Sequence, residues 1–125
     1  MRSLRLLPLL IGLTLAHAVF ATPADERFTA LTAKDWAFRL QEFPDLAREE
    51  NPDVVSTRLG DVSDAAQQRR QAFWVGLRRE LAKIDAQKLS PEQRINHAIF
   101  RRQIENFIQD YELGGYLMPI NSDSA

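Results

Sequence analysis

The chain has 125 residues, with 16 basic and 17 acidic side chains, a net charge of −1 and no cysteine. The lack of cysteine excludes a disulfide framework, a thiol nucleophile and a cysteine-ligated metal. The balanced charge provides no excess of positive side chains for a phosphate backbone, and it therefore argues against nucleic-acid binding.

Residues 1–21 have the pattern of a signal peptide. Arg2 and Arg5 precede an apolar run at 6–16, and small residues follow it. The run is shorter than the roughly 20 residues that cross a bilayer. We therefore expect export to the periplasm or the medium, with cleavage before Thr22 or three residues earlier, and no stable membrane anchor afterwards. An uncleaved leader that tethers the protein to the membrane is the alternative.

Residues 22–125 keep 14 basic and 17 acidic side chains and suffice for one small domain. Apolar residues at spacings of three and four predict a first helix over about 25–43, and Pro44 should end it. The two prolines and several acids in 44–53 predict an irregular connection with at most a single turn, which continues to residue 62.

Ser63 is a favourable N-cap and predicts a second helix that ends near Ala86. Arg69 and Arg70 fall on its other faces and read as solvated flanks. The stripe expected to face the core comprises Ala66, Phe73, Leu77, Leu81 and Ile84.

The clearest helix start in the sequence is Ser90-Pro91, with Gln93 in capping-box spacing. It predicts a third helix over about 91–113, which ends at Gly114-Gly115. Ile95 and Ile99 fall on one side of this helix, so one partner helix cannot cover all of its apolar residues. The broad opposite band comprises Phe100, Ile104, Phe107, Ile108 and Tyr111.

Candidate reactive residues have simpler interpretations. His97, the only histidine after residue 21, is expected at the surface or at the boundary of the core. The acids Glu49, Glu50 and Asp53 fit a solvated turn, and 121–124 fit ordinary turn chemistry. We therefore predict no catalytic, cofactor-binding or metal-binding residue in this chain. The aromatic residues expected in the core are Trp36, Phe73, Trp74, Phe100 and Phe107.

Four segments together resemble the opening of a large family of exported bacterial proteins, catalogued as domain of unknown function 885. They are WAFRLQEFP at 36–44, RLGDVS at 58–63, LSPEQRIN at 89–96 and YLMPINS at 116–122. Their order and spacing carry the resemblance, which covers nearly all of residues 22–125. After Pro44 the family usually has small residues and glycine, and this chain departs from that pattern.

The resemblance implies a protein several times longer, helical throughout, with a His-Glu-containing segment far downstream like that of zinc metallopeptidases. This chain has no His-Glu pair, so none of the family's metal or catalytic positions can be transferred to its residues. Zinc-activated water attacking a peptide or related amide, with a downstream glutamate as base, is the chemistry implied for a full-length parent.

We accordingly predict an all-α fold in which three helices form the N-terminal part of a larger helical protein, after a signal peptide at 1–21. Residues 22–125 would be an incomplete helical segment, inactive alone, whose partner is the remaining C-terminal region of the same protein. The alternative is a complete small periplasmic module that binds a protein partner through the band of Phe100, Ile104, Phe107 and Tyr111.

Overall fold

A computed structural model describes residues 21–51, 53 and 58–118, and the predicted leader and residues 121–124 lie outside them, apart from Ala21. Every regular element in these ranges is helical, which confirms the all-α prediction. None of the described helices is both long and apolar enough to cross a membrane. The elements are α1 (Pro23–Glu42), α2 (Pro44–Glu50), α3 (Asp64–Leu81) and α4 (Pro91–Glu112), with 3₁₀ turns at Ala86–Lys88 and Gly115–Leu117.

The prediction of three helices was one too few for the described residues, because Pro44 begins α2. Phe43 is extended, with φ −121° and ψ 91°, and Pro44 occupies the first helical position. The ring of proline ends one helix because the preceding residue avoids helical geometry, but its own φ suits the start of another. The connection predicted to be irregular from residue 44 therefore contains a seven-residue helix.

The second predicted helix begins as expected and ends early. The Ser63 hydroxyl accepts from the backbone N–H of Ala66, so Ser63 is the N-cap of α3. The helix stops at Leu81 rather than near Ala86, and the backbone N–H of Ile84 bonds the Leu81 carbonyl in a tighter turn. The carboxylate of Asp85 then caps the short turn at Ala86–Lys88. A local side-chain cap has therefore replaced the last helical turn.

Ion pairs show that α1 and α3 are antiparallel. Lys34 Nζ lies 2.7 Å from Glu80 Oε1 near the end of α3, whereas Glu42 at the end of α1 pairs with Arg69 near the start of α3. Helices α3 and α4, joined by residues 82–90, make the most extensive interhelical contact in the described fold.

Helices α1 and α4 run parallel. Phe28, early in α1, has its ring 5.8 Å from that of Phe100, and the Arg39 guanidinium, late in α1, lies 4.6 Å from the Phe107 ring. The shared core has Leu77, Leu81, Ile104 and Ile108 fully buried at its centre. Its buried members are Phe28, Leu31, Trp74, Leu77, Leu81, Leu89, Phe100, Ile104 and Ile108.

On α1 and α3, the residues that face the core differ in part from the sequence prediction. On α3, Ala66, Leu77 and Leu81 are buried as predicted, and so is Trp74, which was also expected in the core. Phe73 of the predicted stripe is only half-buried. Trp36, predicted to lie in the core, is 40% exposed. Each of these stripes is wide enough for neighbouring residues to compete, and contacts between helices decide which residue turns inward.

The apolar band on α4 is covered by the chain itself, so it is not the free surface that the alternative hypothesis required. Phe100 and Ile104 are buried, and Phe107 and Tyr111 are half-buried. The uncovered side is the opposite one, where Ile95 is 64% and Ile99 63% exposed.

One carboxylate joins the starts of α1 and α4. Asp25 Oδ2 accepts from the backbone N–H of Thr22 at 2.8 Å, and Asp25 Oδ1 accepts from the backbone N–H of Ser90 at 3.0 Å. The Thr22 hydroxyl also donates to the Lys88 carbonyl. The Ser90 hydroxyl accepts from the backbone N–H of Gln93, as the capping-box spacing predicted. The reciprocal bond, from the backbone N–H of Ser90, is accepted by Asp25 instead of the Gln93 side chain. Buried Asp25 therefore fixes α1 against α4.

Asp25→Asn should lower the thermal midpoint by several degrees at neutral pH, because an amide offers one acceptor and no charge to two helix N-termini. Hydrogen bonds from the Thr22 and then the Ser90 backbone hold the pKa of Asp25 below its ordinary value. Its stabilising effect is therefore fully present above about pH 4 and is lost as the pH falls through the lowered pKa. Circular dichroism melts at neutral and acid pH measure both effects.

The matched control is Asp85→Asn, since Asp85 accepts from a single backbone N–H in an exposed turn. It should change the midpoint much less than Asp25→Asn does. Equal losses in the two variants, or a gap between wild type and Asp25→Asn that persists unchanged in strong acid, would contradict the shared-cap assignment.

Candidate functional site

A cleft of about 430 Å³ opens where the end of α1, α2, the start of α3 and the end of α4 meet. Its walls are mainly aromatic, with two arginines, and we call it the aromatic–arginine cleft. The residues that line it are Arg39, Phe43, Leu46, Val62, Gln67, Arg70, Trp74, Phe107, Asp110, Tyr111 and Tyr116.

Arg70 is buried, so the prediction that both Arg69 and Arg70 are solvated flanks was wrong for Arg70, which is 4% exposed. Its Nε donates to Glu42 Oε2 at 3.0 Å, and its Nη2 donates to the Asp61 carbonyl at 2.6 Å. Its guanidinium carbon lies 4.8 Å from the Phe43 ring centre. These partners satisfy the charge that burial would otherwise penalise.

Glu42 is shared between two arginines. The Arg69 guanidinium donates from Nε and Nη2 to both carboxylate oxygens at 2.9 Å, and Arg70 adds a third bond. The hydrogen bonds from Arg69 hold the pKa of Glu42 below its ordinary value, and both positive charges act in the same direction. The cluster attaches the end of α1 to the start of α3 and positions Arg70 in the cleft wall.

Arg39 forms another part of the wall, with spare hydrogen-bonding capacity. Its Nη2 pairs with Asp35 Oδ2 at 2.7 Å, and its guanidinium lies over the Phe107 ring. The Nε atom is buried, and no described residue accepts from it. Arg39 therefore keeps a donor without an acceptor beside the cleft.

Trp74 and Phe107 stack with ring centres 4.6 Å apart and planes inclined by 25°. The indole Nε1 is buried, and no described residue accepts from it. Arg39 and Trp74, which both contact the Phe107 ring, therefore each have a buried N–H without an acceptor among the described residues.

The mouth of the cleft is built at the end of α4. Gly114 has φ 71°, the left-handed cap predicted from the glycine pair. The chain then turns so that the rings of Tyr111 and Tyr116 stack 5.2 Å apart. A Cβ atom at Gly115 would overlap Asp110 Oδ1, so a side chain at this position would displace that carboxylate.

The residues singled out in the sequence do not form a reactive cluster. His97 is half-buried, with its ring 5.6 Å from that of Phe28, at the boundary of the core. Glu49, Glu50 and Asp53 lie exposed, and 121–124 are outside the described residues. Within the described ranges, no group of three or more potential ligands could hold a metal ion.

The cleft residues were missed because no sequence motif marks them. Arg39 was part of the segment at 36–44, and Arg70 was assigned to the surface. The acceptors for Arg70 come from Glu42 and Asp61, which are distant from it in sequence. The cleft offers aromatic surfaces and N–H donors, which are groups that can bind a ligand.

Comparison with protein-family models, with curated proteins and with solved structures gives no match for this chain.

Glu42→Gln should reduce the free energy of unfolding by about 1–3 kcal/mol, because the neutral amide leaves one acceptor oxygen for two guanidinium groups and no negative charge beside buried Arg70. Urea denaturation measures the change. The control is Glu105→Gln, which removes long, exposed pairs with Arg101 and Arg102 and should cost less than about 0.5 kcal/mol. Equal costs would show that the Glu42 cluster is no more than a surface ion pair.

Proposed function

We propose that this chain is the N-terminal helical part of an exported, metallopeptidase-like protein, and that it supplies a packing surface rather than reactive residues. Under this proposal residues 1–21 direct export to the periplasm or medium, and residues 22–125 belong to a larger helical domain. Zinc and the general base would be supplied by a region downstream. The substrate would be a peptide or related amide.

The observation that carries the proposal is the exposed side of α4. Ile95 and Ile99 are one helical turn apart, and each is more than half exposed, although the same helix contributes Ile104 and Ile108 to the core. A helix with apolar residues on two sides gains by burying both. The exposed part of Trp36 on α1 adds apolar surface next to α4, since Trp36 and Phe100 line the same groove.

The four family-like segments supply the second line of support. Segments 36–44 and 58–63 contribute Arg39, Glu42 and the Asp61 carbonyl to the cleft and its ion cluster. The segment at 89–96 contains the cap that joins α4 to α1. The resemblance therefore falls on residues that organise the fold, as expected for a scaffold.

The test is to sequence the coding DNA beyond the Ala125 codon and to express the longest in-frame product with its leader. We expect an extension with a His-Glu pair, a product whose metal analysis finds zinc, and an exported form that begins at Thr22 or three residues earlier. A stop codon directly after Ala125, together with a compact monomeric product, would overturn the proposal.

The double variant Ile95→Ser, Ile99→Ser tests whether these two side chains pack against a downstream region of the protein. The double variant should leave the urea midpoint of the 125-residue chain nearly unchanged, because both side chains are already largely in water. It should lower the midpoint of the extended product. Arg101→Ser, also exposed on α4 but about 120° or more round the helix from Ile95 and Ile99, is the control and should affect neither product. An unchanged midpoint of the extended product would exclude Ile95 and Ile99 from the packing surface.

The alternative is a small exported module that binds a protein partner through a helix face. The exposure of Ile95 and Ile99 favours this side of α4, in place of the covered band around Ile104. The same double variant would then abolish partner binding by a product that ends at Ala125.

A further inference from the structure

We propose that the aromatic–arginine cleft binds a small organic anion in which a carboxylate is attached to an aromatic body. This inference depends on the cleft alone and not on the proposed function. It assigns the ligand's ring to the apolar walls and its carboxylate to the Arg39 end of the cleft.

The apolar walls account for the ring. Five of the eleven lining residues are aromatic, and the volume of about 430 Å³ lies in the range of small-molecule sites, roughly 300–1,000 Å³. Trp74 and Phe107 already stack on each other, and Tyr111 stacks on Tyr116. A planar ligand can extend such stacks in the offset geometry that aromatic groups prefer.

Two N–H donors without an acceptor account for the carboxylate of the proposed ligand. Arg39 Nε and Trp74 Nε1 are both buried and have no acceptor among the described residues. Buried N–H groups in native proteins are nearly always hydrogen-bonded, so the N–H groups of Arg39 and Trp74 each need an acceptor. A carboxylate accepts several hydrogen bonds, and the planar guanidinium fork matches its geometry.

The existing cation–π contacts favour an anion over a cation. The ring of Phe107 already has the Arg39 guanidinium over it, and the ring of Phe43 has that of Arg70. One face of each of these two rings is thus already occupied by a cation. Each guanidinium in the wall already has a carboxylate partner, Asp35 for Arg39 and Glu42 for Arg70. The preference for an anion therefore depends on the two N–H donors without an acceptor and not on the net charge of the wall.

The experiment titrates the purified chain, carrying Trp36→Phe, with 2-naphthoate, 2-naphthamide and 2-naphthylmethylammonium. The chain has two tryptophans, so this substitution leaves one indole N–H signal, that of Trp74, in a ¹⁵N-correlated NMR spectrum. We expect naphthoate to shift that signal and to bind roughly tenfold more tightly than the amide, the difference expected for a charge-assisted hydrogen bond. The ammonium compound should bind most weakly.

Variants at the rim test the sign of the charge without disturbing the core. Val62 lines the cleft and is 81% exposed, so its replacement should not affect folding. Val62→Lys should tighten naphthoate binding and Val62→Glu should weaken it, each by roughly threefold, with little effect on the amide. Val62→Trp should block all three compounds.

Arg39→Gln should remove the preference for naphthoate over the amide, and Arg102→Gln, on the far side of α4, should preserve it. If Arg39→Gln fails to fold because Asp35 loses its partner, the Val62 series still decides. A Trp74 signal that no compound shifts, equal affinities for acid and amide, or tightest binding of the ammonium compound would overturn the proposal.

Discussion

The fold depends on one carboxylate that serves two helix starts. The first backbone N–H groups of a helix have no partner within it, and Asp25 bonds one such region in α1 and another in α4. Because α1 and α4 are parallel, their positive ends meet at the same place, and a single buried negative charge is favourable for both. These two bonds hold the starts of α1 and α4 together at one end of the core. Helix α3 runs in the opposite direction, so its last residues lie at that same end.

At the opposite end, Glu42 plays a comparable part between α1 and α3. It pairs with Arg69 and Arg70, and Arg70 in turn reaches the Asp61 carbonyl. Acidic residues on α1 thus connect it to its neighbours at both ends, while the apolar core fills the space between. The aromatic–arginine cleft lies at the Glu42 end because α2 and the turn after α4 leave room there.

Local chemistry was sufficient to predict most helix starts and stops, although not the start of α2 or the early end of α3. Ser63, Ser90 and Gly114 act through hydrogen bonds or a backbone angle within a few residues, and all three perform the predicted role. Pro44 shows the limit of such rules, since the same ring that ends α1 begins α2. The burial of Arg70 and the partial exposure of Phe73 and Trp36 depend on partners far along the chain, which periodicity does not reveal. The cleft could not be predicted for the same reason.

The hydrogen bond from the Thr22 backbone to Asp25 would change in character if the predicted leader is cleaved. If the leader is removed before Thr22, the backbone amide that donates to Asp25 becomes a free α-ammonium group, and a neutral hydrogen bond turns into an ion pair at 2.8 Å in this geometry. The chain would then acquire its strongest N-terminal attachment only after processing.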